Sequence, residues 1–370
     1  MATVVVLGSY APSLIHFRGE LIRALVAAGH RVVAMAPSID EALADRLRAI
    51  GAEPHQVPID NQGLNPLAMP GSIRAMERSF RAIRPDVVIA YTVKPVTLGA
   101  LAAARAGVPR FVALITGLGF AFSGGTSLKR RLSERAATWL YRRALRRSRA
   151  IVFQNPDDRD FFAARAILPP APEPVVVNGS GIDLAAFSPA PLPAGARFLM
   201  VSRLLGDKGV REYGAAARML KARYPDARFA LVGYFDNSPD AISREELDAI
   251  VAGGVEFHGR LDDVRPAIAQ ANVYVLPSYR EGTPRSVLEA MAMGRPIVTT
   301  DAPGCRQTVD AGVNGFLAAP RDAHSLAEAM ERFIKEPDLI VPMGNAARRI
   351  AEERFDVVAV NAQLLAAAGL

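Results

Sequence analysis

The chain has 370 residues, of which 50% are hydrophobic and 22% are charged, a balance typical of a soluble globular protein with more than one domain. Its single cysteine, Cys305, excludes an internal disulfide framework and is consistent with a reducing compartment. The net charge of +7 favours an anionic partner, such as a nucleotide phosphate, a lipid headgroup or nucleic acid. The opening MATVVVLGSY lacks the pattern of a secretory signal, and the longest apolar run, 111–122, is shorter than the roughly 20 residues that cross a bilayer.

The first half of the chain alternates short Val/Ile-rich runs with longer helical stretches. Residues 16–30 predict a helix that Gly29 closes. The predicted strands are 3–8, 31–37, 86–91, 110–116 and 150–155. Near-continuous apolar strands separated by helices are typical of a parallel sheet that helices cover on both faces.

The alternation stops at residues 178–197, which are rich in Gly, Pro and Ala and predict a linker. It restarts with predicted strands at 197–203, 227–234, 254–260, 272–278 and 295–301. We therefore predict an α/β protein of two Rossmann-like, doubly wound domains that face a central cleft, with ligands outside the carboxyl ends of the strands. The predicted parts are a first domain at 1–180, a linker at 181–196, a second domain at 197–350 and a C-terminal helix at 351–370 that packs back on the first domain.

One strand end in the second half carries two cations. Arg203 ends the strand 197–203, and Lys208 and Gly209 follow where the next helix is expected to start. Two cations at a strand-to-helix turn suit a diphosphate, whose charge also favours a helix N-terminus. The alternative is that both cations are simply solvated.

A second strand end carries two carboxylates. After the strand 272–278, Glu281 and Gly282 occupy a loop in which the glycine permits close approach of a ligand. Thr283 is a candidate N-cap and Pro284 a candidate first helical residue. Glu289 then lies in a helix that is apolar nearly all round, so its carboxylate needs a partner. A carboxylate there can accept hydrogen bonds from vicinal sugar hydroxyls, whereas the alternative is an ordinary surface glutamate.

The most basic segment is 129–149, in which nine of 21 residues are Lys or Arg and one is Glu. Apolar residues recur every four positions, which predicts a helix with one apolar stripe and basic flanks; they are Leu128, Leu132, Ala136, Leu140 and Ala144. This helix is either a solvated helix packed on its domain or one that lies beside an anionic membrane, where each basic residue contributes roughly 1 kcal/mol. The candidate membrane-facing residues are Lys129, Arg130, Arg131, Arg142, Arg143, Arg146 and Arg147.

Several motifs resemble one enzyme family. REGTPRSVLEAMAMGRPIVTTD resembles the Glu, seven residues, Glu motif of the retaining glycosyltransferases of family 4, which have the GT-B fold. SYAPSLIHFRGELIRALVAAGHRVV, YTVKPVTLGALAAARAGVP, ITGLGFAF and APGCRQTV resemble the branch that adds an N-acetylhexosamine to a sugar on undecaprenyl diphosphate. The resemblance covers almost the whole chain and is more specific for the family than for the branch.

The resemblance implies roles for the residues of both domains. Arg203 and Lys208 would neutralise the diphosphate of a UDP-sugar, Glu289 would bind the ribose hydroxyls, and Glu281 would contact the transferred sugar. Glu281, Arg203 and Lys208 are thus the candidate catalytic residues, and the donor site also includes Gly282, Thr283 and Pro284. In the first domain the candidate cleft residues are Gly8, Ser9, Ser13, His16, Thr116 and Gly117. Many family members carry His-Gly where this chain has Thr116-Gly117. Either the hydroxyl of Thr116 replaces that histidine, or the histidine's hydrogen bond to the sugar is absent.

Other constellations favour structural roles. GSY after the first strand is not the GxGxxG of a nicotinamide enzyme. The DRD at 158–160 follows Asn155-Pro156, where acids favour a helix N-terminus more than a metal. The sequence shows no clustered His/Cys set, and the resemblance implies no metal and no cofactor besides the UDP-sugar substrate. Cys305 has no visible base partner, so we interpret it as a small core or loop residue.

The sequence thus predicts a retaining, metal-independent hexosyltransferase of bacterial surface glycan or glycoprotein biosynthesis. The best candidate reaction moves N-acetylgalactosamine, or another N-acetylhexosamine, from a UDP-sugar to a lipid-linked saccharide on undecaprenyl diphosphate. We expect a cytoplasmic protein held at the inner face of the cytoplasmic membrane by its anionic surface, with no nucleic-acid partner. A UDP-sugar epimerase of the same fold and a non-catalytic nucleotide-sugar sensor are the alternatives.

Overall fold

The computed structural model describes residues 1–59, 68–118, 122, 128–236, 238 and 240–370, and it describes the side chains of the helix Leu128–Leu145 from residue 132 onward. The chain divides into two compact units. The first unit comprises Met1–Ser180 and Val357–Leu370, and the second comprises Gly181–Asp356. No helix among the described residues is both long enough and apolar enough to cross a bilayer.

The described strands of the first unit form a parallel sheet of seven strands in the order β3-β2-β1-β4-β5-β6-β7. Its strands are β1 (Thr3–Leu7), β2 (Arg31–Ala36), β3 (Ala52–Gln56), β4 (Val87–Tyr91), β5 (Arg110–Ile115), β6 (Ala150–Phe153) and β7 (Val175–Val176). Its helices are α1 (Ser13–His16), α2 (Gly19–Ala27), α3 (Glu41–Ala49), α4 (Met69–Ile83), α5 (Val93–Ala106), α6 (Leu128–Leu145), α7 (Pro156–Ala164) and α14 (Val357–Ala368). The helix predicted over 16–30 corresponds to α2, which is shorter, and the separate short helix α1 precedes it.

The second unit repeats this plan with a parallel sheet in the order β10-β9-β8-β11-β12-β13. Its strands are β8 (Arg197–Val201), β9 (Arg228–Val232), β10 (Val255–Phe257), β11 (Val273–Leu276), β12 (Ile297–Thr300) and β13 (Gly315–Ala318). Its helices are α8 (Val210–Arg223), α9 (Arg244–Ala252), α10 (Arg265–Ala269), α11 (Arg285–Ala292), α12 (Ala323–Lys335) and α13 (Ile340–Arg354). The prediction of two doubly wound parallel sheets is confirmed.

Each sheet is buried on both faces, which explains its near-continuous apolar strands. In β1, Val5 and Leu7 belong to one buried cluster, whereas Val4 and Val6 belong to another. Successive side chains of a strand point to opposite faces, so both faces of this sheet carry a core. Every one of these four side chains is fully shielded from water.

The predicted linker, 181–196, belongs to the second unit. The buried guanidinium of Arg295 explains why, since it donates to the carbonyl oxygens of Ala190 at 2.7 Å and Pro191 at 2.9 Å. The predicted C-terminal helix, 351–370, also has different bounds. Residues 351–354 complete α13 in the second unit, and the chain enters the first unit at Val357, where α14 begins.

The apolar stripe predicted for the basic helix is wrong in part. The buried side chains described on α6 are Ala137, Leu140, Tyr141, Ala144 and Leu145. Leu132 and Ala136 are exposed, although both belong to the predicted stripe. The predictions for Leu128, Lys129, Arg130 and Arg131 fall outside the described side chains. A four-residue spacing drifts round a helix of 3.6 residues per turn, so a stripe with that strict period cannot stay on one face.

Candidate functional site

Both charged motifs of the second half follow strands that are neighbours in the sheet. Strands β9 and β10 lie on one side of β8, whereas β11, β12 and β13 lie on the other. The strand order therefore reverses between β8 and β11. In doubly wound sheets, ligands bind outside the carboxyl ends of the strands at this reversal.

The loop after β8 is held in a tight conformation. It passes through a short 3-10 turn, Gly206–Lys208, and reaches α8 through Gly209 at a φ of 75°. A side chain at Gly209 would place its Cβ 2.2 Å from the carbonyl oxygen of Pro277, which follows β11. Glycine is therefore required for the two loops to approach each other.

Lys208 makes a direct ion pair across these loops. Its Nζ donates to Oε1 of Glu281 at 2.6 Å, and the two side chains are only 15% and 16% exposed. The hydroxyl of Ser278 donates to the same Oε1 at 2.7 Å. The backbone N–H of Tyr279 donates to the carbonyl of Asp207 at 2.8 Å, so the backbone also joins the two loops.

A turn between β12 and β13 supports Glu281 from another side. The backbone N–H of Glu281 donates to the carbonyl of Pro303 at 2.9 Å. A Cβ on Gly304, whose φ is 80°, would lie 2.1 Å from the carbonyl oxygen of Glu281. The neighbouring Cys305 is buried, and burial raises the pKa of its thiol to about 12, which fits the predicted structural role of this cysteine.

Glu289 lies in α11 with little access to water. Burial raises the pKa of its carboxyl, and Arg285, whose Nε lies 3.0 Å from Oε1, opposes that rise. The buried Tyr274 of β11 lies close enough to both glutamates to be affected by their charges. Its pKa is raised first by burial and then by the charges of both Glu289 and Glu281, so both carboxylates act on one tyrosine.

The start of α11 differs from the prediction. The helix begins at Arg285, and Pro284 occupies the N-cap position with an extended backbone, at a φ of −73° and a ψ of 108°. The hydroxyl of Thr283 donates to the carbonyl of Gly282 at 2.9 Å, and Pro284 rather than Thr283 is the N-cap residue. Since proline cannot donate a backbone hydrogen bond, it is tolerated here, where donors have no helical acceptor.

Arg203 has a partner that the sequence analysis missed. Its Nη1 donates to Oδ2 of Asp236, in the loop after β9, at 3.0 Å. Asp236 also accepts hydrogen bonds from the backbone N–H and the hydroxyl of Ser238. Burial alone would raise the pKa of Asp236, but Ser238 and Arg203 together lower it. Asp236 follows β9, which is next to β8 in the sheet, and this position in the sequence could have identified it as a candidate.

The first unit has its own polar cluster at the corresponding place. Its strand order reverses between β1 and β4, and Gly8 and Ser9 follow β1. The hydroxyl of Ser9 lies 2.8 Å from that of Thr92, which follows β4 at a φ of 68°. The hydroxyl of Ser13 lies 2.8 Å from that of Tyr91, and a Cβ on Gly8 would lie 2.3 Å from the same phenol oxygen.

Positive φ with extended ψ is strained for a threonine, so the surroundings of Thr92 must fix its backbone. The structure brings Gly8, Ser9 and Ser13 together. It places Thr116 and Gly117 after β5, the neighbour of β4 in the sheet, and it places an exposed His16 at the end of α1. Tyr91 and Thr92 were missed because a tyrosine at the end of a strand and the threonine that follows it carry no distinctive pattern.

Two doubly wound sheets with polar residues at their reversals define a GT-B architecture, and comparison with known proteins agrees with it. Residues 16–179 match the model of the glycosyl transferase 4-like domain, and residues 195–336 match the model of glycosyl transferases group 1. HepE of Anabaena in complex with UDP-glucose superposes with a TM-score of 0.79 at 20% identity, over 99% of each chain.

The chain belongs to the GT-B glycosyltransferases of family 4. It is 28% identical to the N,N'-diacetylbacillosaminyl-diphospho-undecaprenol alpha-1,3-N-acetylgalactosaminyltransferase of Campylobacter jejuni, over 94% of this chain and 93% of that one. It is 26% identical to the UDP-Gal:alpha-D-GlcNAc-diphosphoundecaprenol alpha-1,3-galactosyltransferase of Escherichia coli, over 78% and 76% of the two chains.

Proposed function

We propose that this glycosyltransferase moves an N-acetylhexosamine, best N-acetylgalactosamine, from a UDP-sugar to a saccharide on undecaprenyl diphosphate, with retention at the anomeric carbon. The observation that carries the donor assignment is the ion pair between Lys208 and Glu281 at the reversal of the second sheet. The names of the two relatives support the lipid-linked acceptor, and the first of them supports the sugar.

The diphosphate of the donor would lie against Lys208 and Arg203. Each cation already has a carboxylate partner, Glu281 or Asp236, which fixes its position before a ligand arrives. A guanidinium has five N–H donors, and the contact with Asp236 uses Nη1 alone, so Arg203 can still donate to phosphate oxygens. Preorganised cations need little rearrangement as negative charge grows on a leaving diphosphate.

The reaction that suits this site breaks the bond between the anomeric carbon and the diphosphate oxygen. The electron pair leaves with UDP, and Lys208 and Arg203 stabilise its charge. A hydroxyl oxygen of the acceptor forms the new bond on the same face of the sugar, and its proton passes to the departing phosphate oxygen. The step needs no general base from the protein, and Glu281 serves by contacting the transferred sugar.

The two carboxylates would bind different parts of the donor. Glu289 in α11 would accept hydrogen bonds from the ribose hydroxyls, and the loop of Glu281, Gly282 and Thr283 would face the sugar. Partial burial favours this role for Glu289, because a carboxylate short of water gains more from two hydroxyl donors than a solvated one.

The acceptor would bind the first unit, where Ser9, Ser13 and Thr92 present hydroxyls at the reversal of the sheet. Thr116 follows the next strand and would supply a hydroxyl in place of the histidine common in the family. A polyprenyl acceptor is confined to a bilayer, so we propose that the enzyme associates with the anionic inner face of the cytoplasmic membrane through the basic helix α6.

Labelled UDP-sugars incubated with and without a lipid-linked acceptor test the reaction. Transfer that requires the acceptor supports the proposal. Conversion of the UDP-sugar without acceptor would indicate an epimerase, and binding without conversion would indicate a sensor. UDP titrated by calorimetry in excess EDTA tests metal independence, since we expect an unchanged affinity.

A further inference from the structure

The helix α6 carries large apolar side chains on the face that points away from its own core. Trp139 is 58% exposed and Leu132 is 55% exposed. They are seven residues apart, so they lie on one face of the helix, two turns from each other. Single exposed apolar residues are common on proteins, whereas an aligned Trp and Leu form a ridge.

This ridge lies opposite the buried face. Trp139 is two residues from Ala137 and two from Tyr141, both of which are buried. At 3.6 residues per turn, two residues correspond to a rotation of roughly 200° about the helix axis. The helix is therefore apolar on two opposite faces, and packing within the first unit accounts for only one of them.

Arginines border the ridge on both sides. Arg135, Arg142 and Arg143 are three or four residues from Trp139, which places them beside it on the helix surface. The guanidinium of Arg143 lies 5.6 Å from the centre of the Trp139 ring. The acid of this segment, Glu134, forms an ion pair with Arg165 at 3.4 Å. An apolar centre with cationic flanks is the composition of a helix that lies in a membrane interface, where tryptophan is also enriched.

We propose that α6 is an interfacial anchor, in which Trp139 and Leu132 enter the headgroup region of an anionic bilayer while Arg135 and Arg143 contact lipid phosphates. The inference rests on the proposed function, which brings the enzyme to a membrane, and it adds apolar insertion to electrostatic attraction. The arginines beside the ridge favour an anionic lipid surface as its partner. A second copy of this chain is less suitable, because two basic α6 helices would repel each other.

The anchor can be tested directly because Trp139 is the chain's single tryptophan. The full chain is mixed with vesicles of phosphatidylglycerol and phosphatidylcholine, with or without bromine on the acyl chains. We expect the emission of Trp139 to shift to shorter wavelength and to be quenched by the brominated lipid. In sedimentation, Trp139→Ala should lower vesicle partitioning about tenfold, the effect of one large apolar side chain.

Matched variants separate insertion from a general loss of structure. Leu132→Ala should also lower partitioning, and Trp139→Phe should retain most of it. Val341→Ala, at a residue of α13 that is 56% exposed, should have no effect. All four variants should melt at the temperature of the unmodified protein, because the side chains are exposed.

Each other outcome overturns the inference in a distinct way. Sedimentation at low salt with unchanged Trp139 emission would mean electrostatic attraction alone, which leaves the proposed membrane association intact. Absence of sedimentation at any salt would overturn both. An emission shift that depends on protein concentration without vesicles would mean self-association. Glycosyl transfer to a detergent-dispersed acceptor is measured separately, so failure of the proposed reaction is not confused with failure of the anchor.

Discussion

Lys208 Nζ lies 2.6 Å from Glu281 Oε1, so an ion pair joins the loops that leave β8 and β11. These strands flank the reversal of the sheet, where doubly wound folds bind ligands. Both side chains are mostly shielded from water, so removing either one leaves the other with a charge that little solvent compensates. We therefore expect substitution of Lys208 and substitution of Glu281 to have different consequences.

Glu281→Ala should lower turnover more than it lowers UDP affinity. The variant loses a charged acceptor near the sugar, a change that typically costs about 1.5–3 kcal/mol. It also leaves Lys208 without its partner, and the diphosphate of UDP can then neutralise the lysine. Lys208→Ala should instead weaken UDP binding. Calorimetry with UDP and steady-state kinetics separate the two, and wild-type binding and turnover in both variants would contradict the assignment of the site.

We expect nucleotide binding to depend on pH because of the carboxylate of Glu289. Its pKa is raised by burial, so its carboxylate gains a proton at a higher pH than an exposed glutamate does. Protonation removes the charge that we expect to accept ribose hydroxyls, so UDP affinity should fall as the pH drops through this raised pKa. Glu289→Ala should weaken UDP by about 1.5–3 kcal/mol at neutral pH.

The control for this pH dependence is Glu289→Gln, which cannot titrate. Protonation of UDP itself affects both proteins equally, so the difference between their affinity profiles isolates Glu289. Folding stability should change in the opposite direction. An acid with a raised folded pKa holds its proton more tightly when folded, so wild type should gain stability relative to Glu289→Gln as the pH falls through that pKa. Parallel affinity profiles would rule out the carboxylate as a ribose ligand.

The strands that the sequence did not reveal are β3, β7 and β13, and each lies at an edge of its sheet. An edge strand has a neighbouring strand on one side only and buries less surface, so it needs fewer apolar residues. Strand β3 reads AEPHQ and contains Pro54, a residue that sheets accept at their edges. Strand β7 has only two residues. The central strands were predictable because burial on both faces demands continuous apolar residues.

The candidate site was predictable in part for the same reason. Arg203, Lys208 and Glu281 follow buried central strands, so their position at the carboxyl ends of those strands could be inferred from the sequence. Their individual partners could not, because Asp236 comes from another loop and Ser278 resembles any loop serine. Contacts between loops depend on turn geometry, such as the positive φ of Gly209, which local sequence patterns do not encode.

The basic face of α6 predicts salt-sensitive membrane binding. Replacing Arg143, Arg146 and Arg147 with Gln should abolish sedimentation with anionic vesicles at low salt, since each cation near the surface contributes about 1 kcal/mol. Wild type should be released by high salt, because surface charges are screened over about 10 Å at 0.1 M. Arg142 is retained because it donates to the carbonyls of residues 165 and 166 after α7. Sedimentation of the triple variant like wild type would contradict the role of these charges.

Gly304→Ala should destabilise the second unit and lower turnover. Its φ of 80° is unfavourable for alanine, and the new Cβ would lie 2.1 Å from the carbonyl oxygen of Glu281. Gly312→Ala is the matched control, because its φ is 79° and its Cβ would have no neighbour within 4 Å. The control should lose only about 1–2 kcal/mol from backbone strain. Thermal melting and kinetics should show a larger loss for Gly304→Ala, and equal losses would mean that the contact with Glu281 is unimportant.

Arg203 and Asp236 predict a coupling that a double-mutant cycle can measure. We expect Asp236 to hold the guanidinium in place, because one of its oxygens contacts Nη1 at 3.0 Å while Ser238 fixes the other. Asp236→Ala should therefore weaken UDP binding in the presence of Arg203. In Arg203→Ala, which should itself weaken UDP, the further loss of Asp236 should have little effect, giving a coupling free energy of about 0.5–3 kcal/mol.

The opposite sign is also informative. If Asp236 competed with the diphosphate for Arg203, Asp236→Ala would tighten UDP binding, and the positioning role would be wrong. Asp236→Asn retains an acceptor and should recover part of the affinity. Asp310→Ala is a suitable control, since it breaks the Arg354–Asp310 ion pair of 2.5 Å elsewhere in the same unit. Exposed pairs contribute little, so this variant should bind UDP like wild type.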